Sequence, residues 1–319
     1  MLGIIQFIMG HSIGLSVIGE SYVSYETSGV AKIIIDGAKH IRAYGTFPHP
    51  NILAGFLLIP IFVIFGRFVS ISRFREYSTN DKWLSSSWLR TEKNTTISHE
   101  TNFLPKSKSV LSILLLINLA GLGVTFSRSA ILGLVFGLIF YAFHVNRIKQ
   151  MASIFIPTLI LLITLSIPAI NFLNKHSSIF SSQTLEERKV FENVSHETIY
   201  SHPLHGVGIG QFVINEYKLY PNMEGWQYQP EHNSFILIFG ELGAIGFILF
   251  LLFLIYLITS SKKNMSLTDI VFYCIIISFT FILLFDHYFW DIKIGLITFA
   301  LGITLSKTGL DSHFFESIS

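Results

Sequence analysis

Long apolar runs, separated by short charged connections, dominate this chain and limit the folds open to it. A helix needs about 20 mostly apolar residues to cross a bilayer. Runs approaching that length lie at Ile52–Ser70, Val110–Phe126, Ala130–Phe143, Ile154–Ile170, Phe235–Thr259, Ile270–Phe285 and Ile292–Leu305. Met1–Gly19 adds a further span or a re-entrant piece. Only 13% of residues are charged and mean hydropathy is +0.57, whereas a soluble domain carries about 25% charged residues. The expected fold is an all-α polytopic membrane helix bundle of about 7–8 spans. Pro60, Pro157 and Pro168 fall in or near spans and are expected to kink or end them.

The basic residues orient the bundle. They concentrate in the segment Ile71–Ser109, in the turn after Phe143 (Arg147, Lys149) and in the turn after Thr259 (Lys262, Lys263). Basic short loops face the cytoplasm. With those connections inside, every run threads in alternation. A single membrane domain over residues 1–319 then carries a cytoplasmic insertion at 71–109 and a large extracytoplasmic loop at 171–232. The net charge of +2 implies no nucleic-acid partner. Cys274 is the only cysteine and lies in an apolar run, so neither an internal disulfide nor a thiol-ligated metal is expected.

This threading puts the polar clusters on one, outer, side. RAYGTFPHPN (Arg42–Asn51) holds an arginine, a histidine and an asparagine in a frame of Gly45, Pro48 and Pro50. Asn51 can cap the helix that follows, which leaves Arg42 and His49 to explain. Arg128 in TFSRSA suits a phosphate, held bidentately, or snorkels to lipid headgroups. Arg188 is surface charge or a third phosphate ligand. His232, in EHNS at the end of the outer loop, is a candidate general base toward a hydroxyl. Glu231 is placed to orient it, and Asn233 is a substrate-binding candidate or only a helix cap. Asp286 and His287, in DHYFWD, complete an outer polar basin. Glu241 is an ionisable group inside an apolar run, near Gly240, Gly243 and Gly246, which would allow helices to approach closely.

Within the loop, Thr184–Tyr200 has helical apolar spacing, and Gly206, Gly208 and Gly210 follow it in a predicted tight turn. His176, His196, His202 and His205 read as solvated. No nucleophile elbow, phosphate-binding Walker loop or metal-ligand set occurs, so no cofactor and no metal are expected. Arginines stabilise a phosphate-rich leaving group and a histidine activates a hydroxyl. The combination suits group transfer from a lipid pyrophosphate to an alcohol.

The ordered set RAYGTFPHPN, TFSRSA, HPLHGVGIGQF, EHNSF with ELGAIGF, and DHYFWD resembles the O-antigen ligase and Wzy-type polymerase superfamily, from about Ser12 to Gly302. That resemblance implies a GT-C-like glycosyltransferase of the bacterial inner membrane with its active face outside. It would take a polyprenyl (undecaprenyl) pyrophosphate-linked oligosaccharide as donor and a glycan, lipid or protein acceptor, without a metal. It implies pyrophosphate contacts for Arg128, Arg42 and Arg188, and a base role toward the acceptor for His232. Members of this superfamily carry more spans than the runs counted here, so the chain is expected to be short at its N-terminal end. A solute (bicarbonate-like) transporter and an inactive truncated relative are the alternatives. Transporters tend to show internal repeats, and none is found.

Overall fold

The computed structural model describes residues 1–35, 37–80, 107–145, 193–223, 225, 228–259, 265 and 267–308. The run Ile154–Ile170, His176, Arg188, and most of the 71–109 insertion lie outside the described residues. Apolar runs become helices because a backbone among apolar groups must satisfy its N–H and C=O groups internally. The helices are α1 (Leu2–Met9), α2 (Pro50–Asn80), α3 (Lys108–Gly123), α4 (Arg128–Val145), α5 (Phe212–Leu219), α6 (Ser234–Thr259), α7 (Leu267–Leu283), α8 (Tyr288–Asp291) and α9 (Lys293–Thr308). Residues 193–201 are also helical, in keeping with the spacing of the outer loop.

Two described helices, Pro50–Ile71 and Ser234–Thr259, are long and apolar enough to cross a bilayer. Lys108–Gly123, Arg128–His144, Asp269–Leu283 and Lys293–Thr304 are shorter apolar helices. Helix α2 passes through Pro60 and continues beyond Ser70, into the segment expected to be insertion. Helix α1 has 8 residues. At 1.5 Å per residue it reaches about 12 Å, well short of a span.

The all-α expectation needs one correction. Strands β1 (Lys32–Ile35) and β2 (Ala38–Ile41) form an antiparallel hairpin, with Ile35 opposite Ala38 and Lys32 opposite Ile41. Gly37 has φ +82° at the tip. The run Ile33–Ile35 is too short for a membrane helix but suits a strand.

Helix α7 is the centre of the bundle, packed against α2, α4, α6 and α9. Its contact with α4 is close. A Cβ on Gly133 would lie 2.7 Å from the Ser278 carbonyl oxygen. Ser278 Oγ donates to the carbonyls of both Gly133 and Cys274, each at 2.7 Å, which joins the two helices by a polar contact. Cys274 is buried in this core, as expected for a small apolar side chain. The core continues through Phe62, Leu111, Leu122, Leu134, Phe272 and Phe279.

Candidate functional site

Three helices begin at one end of the bundle: α2 at Pro50, α4 after TFS and α6 after EHN. Residues from each helix start line a single cavity of about 1010 Å³: Asn51 from α2, Arg128, Ser129 and Leu132 from α4, and Ile236 from α6. Helix N-termini carry partial positive charge and unpaired N–H groups, so their convergence favours an anion. Arg42, Phe126, Ser195, His196, Ile199, Glu231, His232, Asn233, Leu284, Phe285 and Asp286 complete the wall. Leu284–Asp286 follow the C-terminal end of α7, so α7 brings its C-terminal end to the cavity where α2, α4 and α6 bring their N-terminal ends.

Backbone pairing fixes Arg42. The Ala43 N–H donates to the Val124 carbonyl at 3.0 Å. Buried Gln6 holds the next turn, donating Nε2–H to the Gly45 carbonyl at 3.1 Å and accepting from the Gly45 N–H at 2.7 Å. Arg42 Nε–H then donates to the Thr125 carbonyl at 2.5 Å. A second Arg42 N–H donates to Asn51 Oδ1. Asn51 Nδ2 donates to Asp286 Oδ2 at 2.7 Å, and Ser129 Oγ donates to the same oxygen at 3.1 Å. Two of the five guanidinium N–H donors are used in these bonds. Burial pushes the Arg42 guanidinium down to about 10, Asp286 pulls it back up, and Arg128 lowers it further. It stays charged at neutral pH. Burial raises the Asp286 carboxyl, against the opposing effects of His287, Ser129, Arg42 and Asn51.

Arg128 is exposed in the first turn of α4 and lines the cavity. The turn before it contains Phe126 at φ +50°, a conformation uncommon for a bulky residue. Ser129 and Ser127 hydroxyls lie 3.3 Å apart beside it.

Asn51 does not cap α2, as the sequence had led us to expect, because its side chain is committed to Arg42 and Asp286. His49 caps instead: its Nδ1 accepts the Asn51 N–H at 3.2 Å. An accepting Nδ1 must be unprotonated. Burial, together with the positive field of Arg42, holds His49 down at about 4, which keeps it so. Asn233 does cap, accepting the Phe235 and Ile236 N–H groups at 2.9 and 3.3 Å. Glu231 accepts from Ser195 Oγ at 3.1 Å and from the Asn233 N–H at 3.3 Å, which ties the 193–201 helix to the start of α6. His232 lies exposed on the wall, its ring 5.2 Å from that of His287. His287 Nδ1 is 2.9 Å from Asp291. His232, Asp286 and His287 each offer a ligand atom, and these lie within 4.8 Å of one another.

Helix α6 breaks at Gly243 (φ 64°, ψ −171°), and the 203–208 loop fills the gap. The Val207 and Gly208 N–H groups donate to the Gly240 and Glu241 carbonyls at 3.0 and 2.8 Å. In return, the Ala244 and Ile245 N–H groups donate to the Pro203 and Leu204 carbonyls at 2.8 and 3.2 Å. The close approach foreseen for this glycine-rich stretch is therefore, at Gly243, to a loop and not to another helix. Glu241 is not on the cavity wall. It is buried in this break and accepts from Trp290 Nε1–H at 2.8 Å.

The sequence reading missed several participants. His196, read as solvated, lines the wall together with Ser195 and Ile199, and the helical spacing of 195 and 199 was the available signal. Glu216, off the cavity wall, is buried on α5, pushed up to about 7 by burial and by Glu231 against a pull from the Gln229 backbone. Ser129 appeared only as a neighbour of Arg128.

Residues 113–251 match a protein-family model described as O-antigen ligase. The match supports a likeness to the O-antigen ligase superfamily over that stretch. That match includes Arg128, Ser195, Glu231 and His232 but ends before Asp286 and begins after Arg42. No curated protein and no solved structure matches the chain. The family match and the long apolar helices support, in general terms, a membrane glycosyltransferase of the O-antigen ligase and polymerase type.

Proposed function

We propose that this protein transfers or polymerises glycan from an undecaprenyl-pyrophosphate-linked donor onto an acceptor hydroxyl, at the extracytoplasmic face of a multi-pass bundle. The observation that carries this reading is the single cavity of about 1010 Å³ that gathers Arg42, Arg128, His232 and Asp286 at three helix N-termini. Arg128 and Arg42 hold the pyrophosphate, supported by the positive helix ends. The apolar side chains Leu132, Leu284 and Phe285 offer a flank for the lipid chain. His232 takes the proton from the acceptor hydroxyl as its oxygen attacks the anomeric carbon. The bond from that carbon to the phosphate oxygen breaks, and its electron pair leaves with the pyrophosphate, where the arginines stabilise the charge. The step inverts the anomeric centre and needs no metal. Asp286 positions Arg42 through Asn51, and Arg188 belongs to the same anion-binding set.

The test is incubation of the purified chain with lipid-linked repeat units. A ladder of lengthened lipid-linked chains identifies a polymerase, and a single transfer to another acceptor identifies a ligase. Arg128→Ala and His232→Ala each lower product formation by about 100-fold or more while the protein remains in the membrane. Wild-type product levels from both variants refute the assignment.

A further inference from the structure

The reaction proposed above uses His232 and leaves His287 and Asp291 without a part. Yet the three side chains His232, Asp286 and His287 bring one ligand atom each within 4.8 Å of the others. Two imidazoles and one carboxylate are the donor set of a zinc site with an open position. A tetrahedral ion with bonds of about 2.0–2.1 Å needs its ligand atoms roughly 3.4 Å apart. Side-chain rotation of about 1.4 Å or less closes the difference, and two of the three residues have room for it. His232 is exposed and His287 is half-buried.

The surroundings are arranged as a ligand shell. His287 Nδ1 is held by Asp291 at 2.9 Å, which orients the ring. Ligating histidines commonly carry such a carboxylate on the other ring nitrogen. Asp286 Oδ2 is fixed by Asn51 and Ser129 at 2.7 and 3.1 Å, which holds the carboxylate in place. His232 and Asp286 both line the open cavity, so an ion has a path from solvent.

We infer that His232, Asp286 and His287 form a binding site for a divalent transition metal of the zinc type, with Asp291 orienting His287. The site adds a ligand to the chain and not a cofactor to the reaction. Resting on the base role proposed for His232, occupancy blocks transfer, because a ligated imidazole cannot accept the acceptor's proton.

The experiment titrates Zn²⁺ into the detergent-solubilised full chain, in competition with a colorimetric zinc indicator and with no glycan present. The wild type takes up one tight equivalent. His232→Ala/His287→Ala loses it. Asp291→Asn, which keeps every ligand, weakens it by about 10-fold or more. Equal Zn²⁺ uptake by the wild type and the double variant, with both proteins eluting as folded species, overturns the site, as does no uptake by the wild type. The same titration on an active preparation reads the consequence. Transfer stops as the site fills and returns with chelator; undiminished transfer at full occupancy overturns the blocking role. A wild type that binds Zn²⁺ yet transfers no glycan when metal-free refutes the proposed function and leaves the site standing.

Discussion

Replacing Gly243 with alanine should detach the 203–208 loop from helix α6, whose break it fills. The backbone there sits at φ 64°, ψ −171°, a region essentially confined to glycine, and strain of this kind costs about 1–3 kcal/mol. Space is the larger obstacle. A Cβ would fall 2.3 Å from the Leu204 carbonyl carbon and 2.4 Å from the His205 nitrogen, both backbone atoms that cannot rotate away. Relief requires the 203–208 loop to withdraw, which gives up four reciprocal backbone hydrogen bonds. Each is worth about 0.5–1.5 kcal/mol net, so the total loss is roughly 3–9 kcal/mol if the helix keeps its break. The helix can also respond by closing the break and becoming regular, which brings the cost nearer the lower figure. Either response frees the 193–201 helix, which supplies Ser195, His196 and Ile199 to the cavity. Limited proteolysis between residues 193 and 223 and the thermal midpoint in detergent are the readouts. Gly243→Ala is expected to lower the midpoint by several degrees and to open that segment to cleavage. Gly206→Ala should do the same, because its Cβ would lie 2.3 Å from the Glu241 carbonyl group. Wild-type midpoint and wild-type protection in both variants would show that the interlocked loop does not hold the site.

Asn51→Ala removes a bridge between Arg42 and Asp286; with about 1.5–3 kcal/mol for each bond to a charged group, it should destabilise the fold and cut transfer by about 100-fold or more, read from thermal midpoint and product formation. His49 has a folded value of about 4, below its ordinary one of about 6.5. Its stabilisation is therefore complete above pH 6.5 and is lost as pH falls through 4. His49→Asn keeps a helix cap without a titrating group, so its midpoint should fall less than that of the wild type between pH 7 and pH 4, and parallel curves would refute this. Glu216, raised to about 7, destabilises the fold progressively from about pH 4.5 up to pH 7. Glu216→Gln should be more stable than the wild type at pH 8 and no more stable at pH 4, as measured by thermal unfolding at both values.

Local signals in the chain were readable in proportion to how local their physics is. The apolar runs from Ile52 onward became helices over most of their described length, and Asn233 caps α6 from the position its residue type favours. The glycines of the GVGIG turn do take positive φ. Asn51 and His49 reversed the expected division of labour. Either residue can accept an N–H at that helix start, and the choice fell to Asp286, 235 residues away, which claims the asparagine. The hairpin at 32–41 was passed over because its strands have four residues each, beneath the length at which an apolar run declares its period. Glu241 was visible as an oddity, but its partner Trp290 and the broken helix around it were not.

Hydropathy, basic loops and helix-start residues determined by themselves that this chain builds a membrane-type helical bundle with polar clusters at helix ends, because each of those properties acts within a few residues. Only the tertiary structure decided that Arg42, Arg128, His232 and Asp286 share one cavity, and that His287 and Asp291 stand behind it. Those contacts depend on which helices pack and how closely, as at Gly133 against Ser278 and Gly243 against Leu204. Such fits are set by the shapes of surfaces distant in the chain, which no stretch of sequence carries alone.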